Sequence, residues 1–185
     1  SVDAVIPMSE PELSVFAPLI DELGENRCIT AGKDVIATGI DKLETMSTLA
    51  SLGIPIPWSI EAGQEIPSEF PCIFKAQRGS GSKNVFVVET HDEAVFLSSK
   101  FPDSIFQELL EPADREVTCA VYRRKDGKIA VLQLLRKLTG GFTGWARVIN
   151  DHETLGMCKA IAQGLDLHGS MNVQLRLTKN GPRVF

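Results

Sequence analysis

Apolar residues recur at helical spacing up to about residue 55 and at alternate positions through most of the chain beyond it, with two helical stretches interrupting the second pattern. In SEPELSVFAPLIDELG, Leu13, Phe16, Ile20 and Leu23 share one helical stripe. Ser9 and Glu12 have capping-box spacing, Pro11 suits a first turn and Gly24 ends the run. The preceding run VDAVIP predicts a short strand. Strand then helix is half of an α/β unit and too little to form a sheet, so residues 1–40 predict the remnant of a preceding α/β domain. IDKLETMSTLASLGIPIP predicts a second helix, capped by Asp41, with Leu43, Met46, Leu49 and Ala50 on one face and Gly53 and Pro55 as the stop.

The period then changes. FPCIFKA, NVFVVE and SIFQELL predict strands, and THDEAVFLSSK predicts a helix with Thr90 and Glu93 as its capping box. Together they predict a small α+β lobe within residues 41–108. In REVTCAVYRRKDGKIAVLQLLRK, Asp126-Gly127 predicts a two-residue hairpin turn, and Val117, Cys119 and Val121 alternate toward a core. LTGGFTG predicts a break before the strand WARVI. A helix follows over residues 151–167, with Leu155, Cys158, Ile161, Ala162 and Leu165 apolar, and then two strands about the Asn180-Gly181 turn. Residues 109–185 therefore predict a second lobe, an antiparallel sheet crossed by a helix, and the fold class is α+β.

Composition narrows the function classes. The formal net charge is −5 and no basic block stands out, which argues against nucleic acid and anionic membranes as partners. Apolar runs fall far short of the roughly 20 residues of a membrane span, and the first residues lack the pattern of a signal peptide, so a cytoplasmic protein is expected. Cys28, Cys72, Cys119 and Cys158 are widely spaced within apolar runs and predict buried small hydrophobes. His91, His152 and His168 fall at predicted helix ends with no shared spacing to each other or to a cysteine, and are assigned to structure.

Against this background Lys75, Arg78 and Lys83 form a local positive cluster around RGSGSKN. A phosphate loop of the mononucleotide or dinucleotide type must open a helix, whereas a strand follows here, and the segment matches neither G-x-x-x-x-G-K-[ST] nor G-x-G-x-x-G. Protein-kinase H-R-D and D-F-G signatures do not occur in the chain. Two readings stay open: a hairpin whose backbone N–H groups fold over phosphates with Lys75 at its base, or an exposed hairpin with a lysine at its edge.

Further segments bear on that choice. Asp41-Lys42, PCIFK, GSGS, FQELL, REVT and MNVQLR occur in the order seen in ATP-grasp enzymes, and the chain resembles that family over nearly its whole length, the carbamoyl phosphate synthetase large subunit in particular. The resemblance implies two α+β lobes clasping ATP between antiparallel sheets, with Mg2+ as the metal. It implies that Lys42 and Lys75 face the phosphates and that Gly79, Ser80, Gly81 and Ser82 form a lid over them. Glu108, Leu109 and Leu110 would hold the adenine, and Glu116 the ribose hydroxyls. Gln174 would lie near the metal and the terminal phosphates. Arg176 would point at the acyl phosphate or the substrate carboxylate, with Arg147 and Lys137 as lower-ranked candidates and Trp145 a packing residue.

In the family the principal magnesium acids follow the last strand. They would lie beyond Phe185, so residues 1–185 alone are expected to be inactive. The implied activity of the longer protein is ATP-dependent ligation of a carboxylate to an amine or ammonia through an acyl phosphate. A nucleotide-binding module without ligase activity and a kinase-like phosphotransferase are the alternatives. Small-molecule carboxylate and amine substrates are the implied partners; their identities and the oligomeric state are left open.

Overall fold

Two antiparallel sheets and the helices packed on them organise the chain, and the computed structural model describes residues 2–24, 27–79 and 85–185. The N-terminal segment begins with α1 (Glu10–Phe16), whose capping box between Ser9 and Glu12 is present. The long helix expected there is broken by a 3-10 turn, Ala17–Leu19, before α2 (Ile20–Leu23). Pro18 accounts for the break, since it has no N–H for the carbonyl one turn back and its ring crowds that carbonyl. The strand expected at VDAVIP is reduced to one parallel bridge between Val5 and Cys28.

Helix α3 (Lys33–Ile40) had no strong sequence signal: KDVIATGI carries Val35, Ile36, Thr38 and Gly39, all poor helix formers. It forms because Ile36 is buried in the larger core. Helix α4 (Lys42–Ser51) starts as predicted, with Asp41 Oδ1 accepting from the Leu43 and Glu44 amides at 3.0 and 3.3 Å.

The smaller sheet contains β1 (Ser59–Glu61), β2 (Cys72–Ala76), β3 (Phe86–Val88) and β4 (Ser104–Glu108) in the order β1-β4-β2-β3. Strand β1 is too short to show an alternating pattern and was not anticipated. Helix α5 (His91–Lys100), closed by the predicted box of Thr90 and Glu93, buries Ala94 against Cys72, Phe74, Val88 and Phe106. Phe74 and Phe106 sit with ring centroids 5.1 Å apart, in tilted contact.

The larger sheet contains β5 (Glu116–Arg123), β6 (Ile129–Thr139), β7 (Phe142–Ile149), β8 (Gly169–Thr178) and β9 (Gly181–Val184), in the order β7-β6-β5-β8-β9, with α6 (His152–Gly164) across one face. The turn between β5 and β6 is longer than predicted. Arg124 and Lys128 still pair, the Gly127 amide bonds to Arg124 O, and Gly127 takes φ +83°, as in a three-residue loop that ends in a left-handed residue. The expected break at LTGGFTG is itself a hairpin: Gly140 and Gly141, at φ +59° and +83°, form its turn, and the strand resumes at Phe142. The register slips once, from Lys137 opposite Trp145 to Leu138 opposite Thr143, leaving Gly144 as the extra residue of a bulge.

Alternation divides the larger sheet. Val117, Cys119, Val121, Val173 and Leu175 join Cys158 and Ile161 of α6 in one core, which also takes in Met46 and Leu49 of α4. The helix grouped by sequence with residues 41–108 is therefore packed on the larger lobe; its stripe shows which face is buried but not against what. All four cysteines are buried and unpaired. Among the described residues no helix is long and apolar enough to cross a membrane.

The two faces make a stability contrast measurable in denaturant. Leu175, fully buried, should cost about 2–5 kcal/mol when replaced by alanine. Leu132, 47% exposed on the other face, should cost less than about 0.5 kcal/mol. Equal midpoint shifts for the two variants would contradict this division.

Candidate functional site

Cross-strand partners share a face of a sheet, so register assembles this site. Arg136 on β6 stands opposite Ala146 on β7, Glu116 on β5 lies between Arg136 and Arg176 of β8, and Arg183 on β9 stands opposite Arg176. The row lies on the face away from α6. Arg136 donates to Glu116 Oε1 from Nε and Nη2 at 2.9 and 2.8 Å, and Arg176 Nη2 donates to Glu116 Oε2 at 2.9 Å. The three side chains are only 13%, 10% and 14% exposed, so this is a buried triad rather than a surface ion pair. Glu116, expected to take ribose hydroxyls, thus already accepts from guanidinium groups at both oxygens.

The same arginines reach the connection between the lobes. Arg176 Nη1 donates to Leu110 O at 2.8 Å. Arg183 Nη1 donates to Glu108 Oε1 at 2.6 Å, and its other terminal nitrogen donates to Ile56 O. Glu108 Oε2 accepts from the Trp58 amide at 3.3 Å. Glu108 and Leu110, the expected base-binding residues, are therefore pinned in place from β8 and β9; Leu110 is buried and Leu109 half-buried.

At the other end, β2 and the start of α4 bring two lysines together. Lys75 Nζ donates to Gln107 Oε1 at 2.8 Å and lies 5.6 Å from the centroid of the Phe185 ring, which also has the Arg176 guanidinium 5.2 Å away. Lys42 Nζ donates to Gly79 O at 2.8 Å and to Gln77 O at 3.4 Å. Burial, and then the charge of Lys42, push the Lys75 ammonium down to about 8. Burial lowers Lys42 too, against the attraction of Glu10 and Asp41. Asp41 anchors the segment leading to Gly79, accepting from Gln77 Nε2 at 2.9 Å and Arg78 Nη2 at 2.8 Å. Burial works against its charge, but the bonds from Gln77, the helix amides and Arg78 keep its carboxyl below the usual range.

The structure thus gathers Lys42, Lys75 and Gly79 at one end and Glu108, Leu110, Glu116 and Arg176 at the other, with Phe185 touching both ends. Gln174 shares the face of Glu116 and Arg176, opposite Thr118, and is half-buried. Ser80, Gly81 and Ser82 lie outside the described residues. Arg147 is not brought in: it pairs with Leu135, a residue packed on the α6 side, and so lies on the opposite face from Arg176, exposed. Lys137, in register with Trp145, shares that face. Both residues sit on strands, β7 and β6, and a period of two decides which way their side chains point.

Arg136 and Arg183 were not anticipated. Counting alternate positions from Glu116 and Arg176 across the two hairpins is the signal that finds them. Among the described residues no three of His, Cys, Asp and Glu come together as a metal site. Gln174 offers a single neutral amide there, so the residues present do not make a magnesium site.

A family model described as an ATP-grasp domain matches residues 40–185. The chain belongs to the ATP-grasp family. It is 26% identical over 132 residues to a carbamoyl-phosphate synthase of Methanobrevibacter smithii, a match covering 66% of this chain and 36% of that protein. Its fold is that of an L-amino acid ligase from Bacillus licheniformis, with TM-score 0.77 and 18% identity over 98% of this chain and 47% of the other. A carboxyaminoimidazole ribonucleotide synthase from Aspergillus clavatus, solved with ATP, has TM-score 0.73 and 15% identity over 98% of this chain and 52% of the other. The chain thus spans between about a third and a half of the length of these proteins. Two α+β lobes with antiparallel sheets, as expected from sequence, is the architecture of this ATP-grasp chain.

Removing Glu116 strands two buried guanidinium groups. Glu116→Ala should lower stability by about 3–5 kcal/mol, read from the denaturant midpoint. Replacing Arg136, Glu116 and Arg176 together by Met, Leu and Met should recover most of the loss. A loss below about 1 kcal/mol for the single variant would show that the triad is solvated.

Proposed function

We propose that the protein containing this chain is an ATP-dependent ligase joining a carboxylate to an amine or ammonia. The observation that carries this is the convergence of Lys42 and Lys75, from α4 and β2, beside Gly79 in a chain of net negative charge. Two ammonium groups, partly withdrawn from water and bonded to neutral oxygens, form an anion site in which Glu10 and Asp41 offset the charge of Lys42 only in part. The family membership and the ATP and ligase relatives support the nucleotide as the anion.

In the proposed reaction a substrate carboxylate oxygen bonds to the γ-phosphorus while the bond to the β–γ bridging oxygen breaks, giving an acyl phosphate and ADP. The amine nitrogen then bonds to the acyl carbon, phosphate leaves, and the nitrogen loses a proton. The chain's part is positioning and charge neutralisation. Lys75 and Lys42 hold the phosphates. Leu110 covers the base, whose edge would be read by the backbone of Leu109 and Leu110, the Leu110 carbonyl being held by Arg176. Arg176 keeps its Nε–H buried with no partner among the described residues, a donor that a ligand oxygen can take up. Magnesium, implied alongside ATP, finds no acidic set here, and no step is assigned to it. A cytoplasmic setting accords with this reading.

A binding module without ligase activity is the second reading, favoured by the engagement of both Glu116 oxygens with arginines. ADP release by the full-length protein across amino acids, bicarbonate and dipeptides, each with and without ammonia, separates the two. Ligase activity requires one carboxylate to accelerate release well above background and an amine to be consumed. ATP binding with no acceleration by any of them leaves the module.

Lys75 supplies a sharper test. Lys75→Met should weaken ATP binding about tenfold to a hundredfold, the value of a charge-assisted hydrogen bond. Because Lys75 is protonated below about 8 and neutral above it, affinity in the unmodified chain should fall as pH rises from 7 to 9. Lys75→Arg should flatten that profile. A profile unchanged by the arginine variant removes Lys75 from the phosphate site.

A further inference from the structure

The Gly79 backbone is held from two directions by side chains of opposite charge. Its carbonyl accepts from Lys42 Nζ at 2.8 Å, and its N–H donates to Glu10 Oε1 at 2.9 Å. Glu10 is the first residue of α1. Its neighbours Ser9 and Glu12 satisfy each other in the capping box, which leaves the Glu10 carboxylate to reach across 69 positions of sequence. Glu10 also lies within electrostatic reach of Lys42, as Lys42 does of Lys75. Asp41, the other acid nearby, is engaged with Gln77, Arg78 and the α4 amides.

A backbone N–H beside an ammonium group is the donor pair that a phosphate oxygen accepts from. Here a carboxylate takes the N–H. The carboxylate is moreover carried by an element of the other body: Leu13 and Phe16 of α1 pack on the larger core, whereas Gly79 follows β2 of the smaller sheet. The contact therefore couples the two bodies and places a negative charge where the proposed ligand would bring several more.

Building on the nucleotide reading above, we propose that Glu10 is a resident anion at the phosphate site, an autoinhibitory latch that the nucleotide phosphates displace from Gly79. The latch holds the start of the glycine stretch against the N-terminal helix and is released in proportion to the phosphate charge that arrives.

Two measurements on the 185-residue chain test this. The first needs no nucleotide. Hydrogen exchange at the Gly79 amide should be at least about fivefold faster in Glu10→Ala than in the unmodified chain, because an exposed amide exchanges by the fastest local route. Glu10→Gln, which keeps an acceptor oxygen, should fall between them. The second is calorimetric titration with ATP, ADP and adenosine. Glu10→Gln should bind ATP about threefold to tenfold more tightly, the effect of removing one like charge at close range. The gain should be smaller for ADP, absent for adenosine, and reduced in concentrated salt.

Glu22→Gln, the same charge change at an exposed position of α2, should leave all three affinities unchanged. Unaltered or weakened ATP binding in Glu10→Gln overturns the latch, as does an equal gain in Glu22→Gln. Unaltered Gly79 exchange in Glu10→Ala overturns it independently. Accelerated exchange with no nucleotide bound by any variant would instead overturn the nucleotide reading, and displacement by phosphates with it.

Discussion

Three charged groups nearly closed to solvent set the terms for the rest of the molecule. An isolated ion in such a place costs several kcal/mol, and the Arg136–Glu116–Arg176 set is tolerable only because each Glu116 oxygen meets a guanidinium group at hydrogen-bond distance. That geometry exists in one register of β5, β6 and β8. A slip of one residue would carry Glu116 to the α6 side and Val117 out of the core. The hydrophobic layer and the charged layer thus specify the same alignment. Arg176 extends the constraint to the Leu110 carbonyl, tying the connection between the lobes to the register of the sheet.

The opposite end of the site follows a different principle. Lys42 and Lys75 share a neighbourhood in which each raises the cost of charging the other, and they bond to neutral oxygens of Gly79, Gln77 and Gln107. In the arginine row positive charge is compensated within the protein; around the lysines much of it is left for something else. The contrast between saturated and unsaturated charge separates the structural part of this face from the part available to a ligand.

Much of this architecture was legible in the residues, for identifiable reasons. The boxes of Ser9 with Glu12 and Thr90 with Glu93, the Asp41 cap and the alternation of Val117, Cys119 and Val121 are local signals, and local chemistry decided them. What escaped depends on contacts distant in sequence. Helix α3 overrides weak propensity by burying Ile36, and the partner sheet of α4 cannot be read from its own stripe. Arg147 ranks below Arg176 as a candidate in the sequence, and strand direction places the two on opposite faces. Arg136, Arg183 and Glu10 become visible only once cross-strand pairs and a contact over 69 positions are known.

The Arg183 side chain, bonded to both Glu108 and Ile56, fastens the edge of the larger sheet to one end of the smaller. Cys72 sits level with Glu108 in the register, and β2 runs away from that point toward Ala76 and then Gly79. At about 3.3 Å per residue, Ala76 is some 13 Å farther along. Rocking of one sheet over the other about this fastening would barely shift Glu108, while the lever arm of β2 would carry Gly79 through the widest arc, so a small tilt at the pivot becomes a large sweep at the tip.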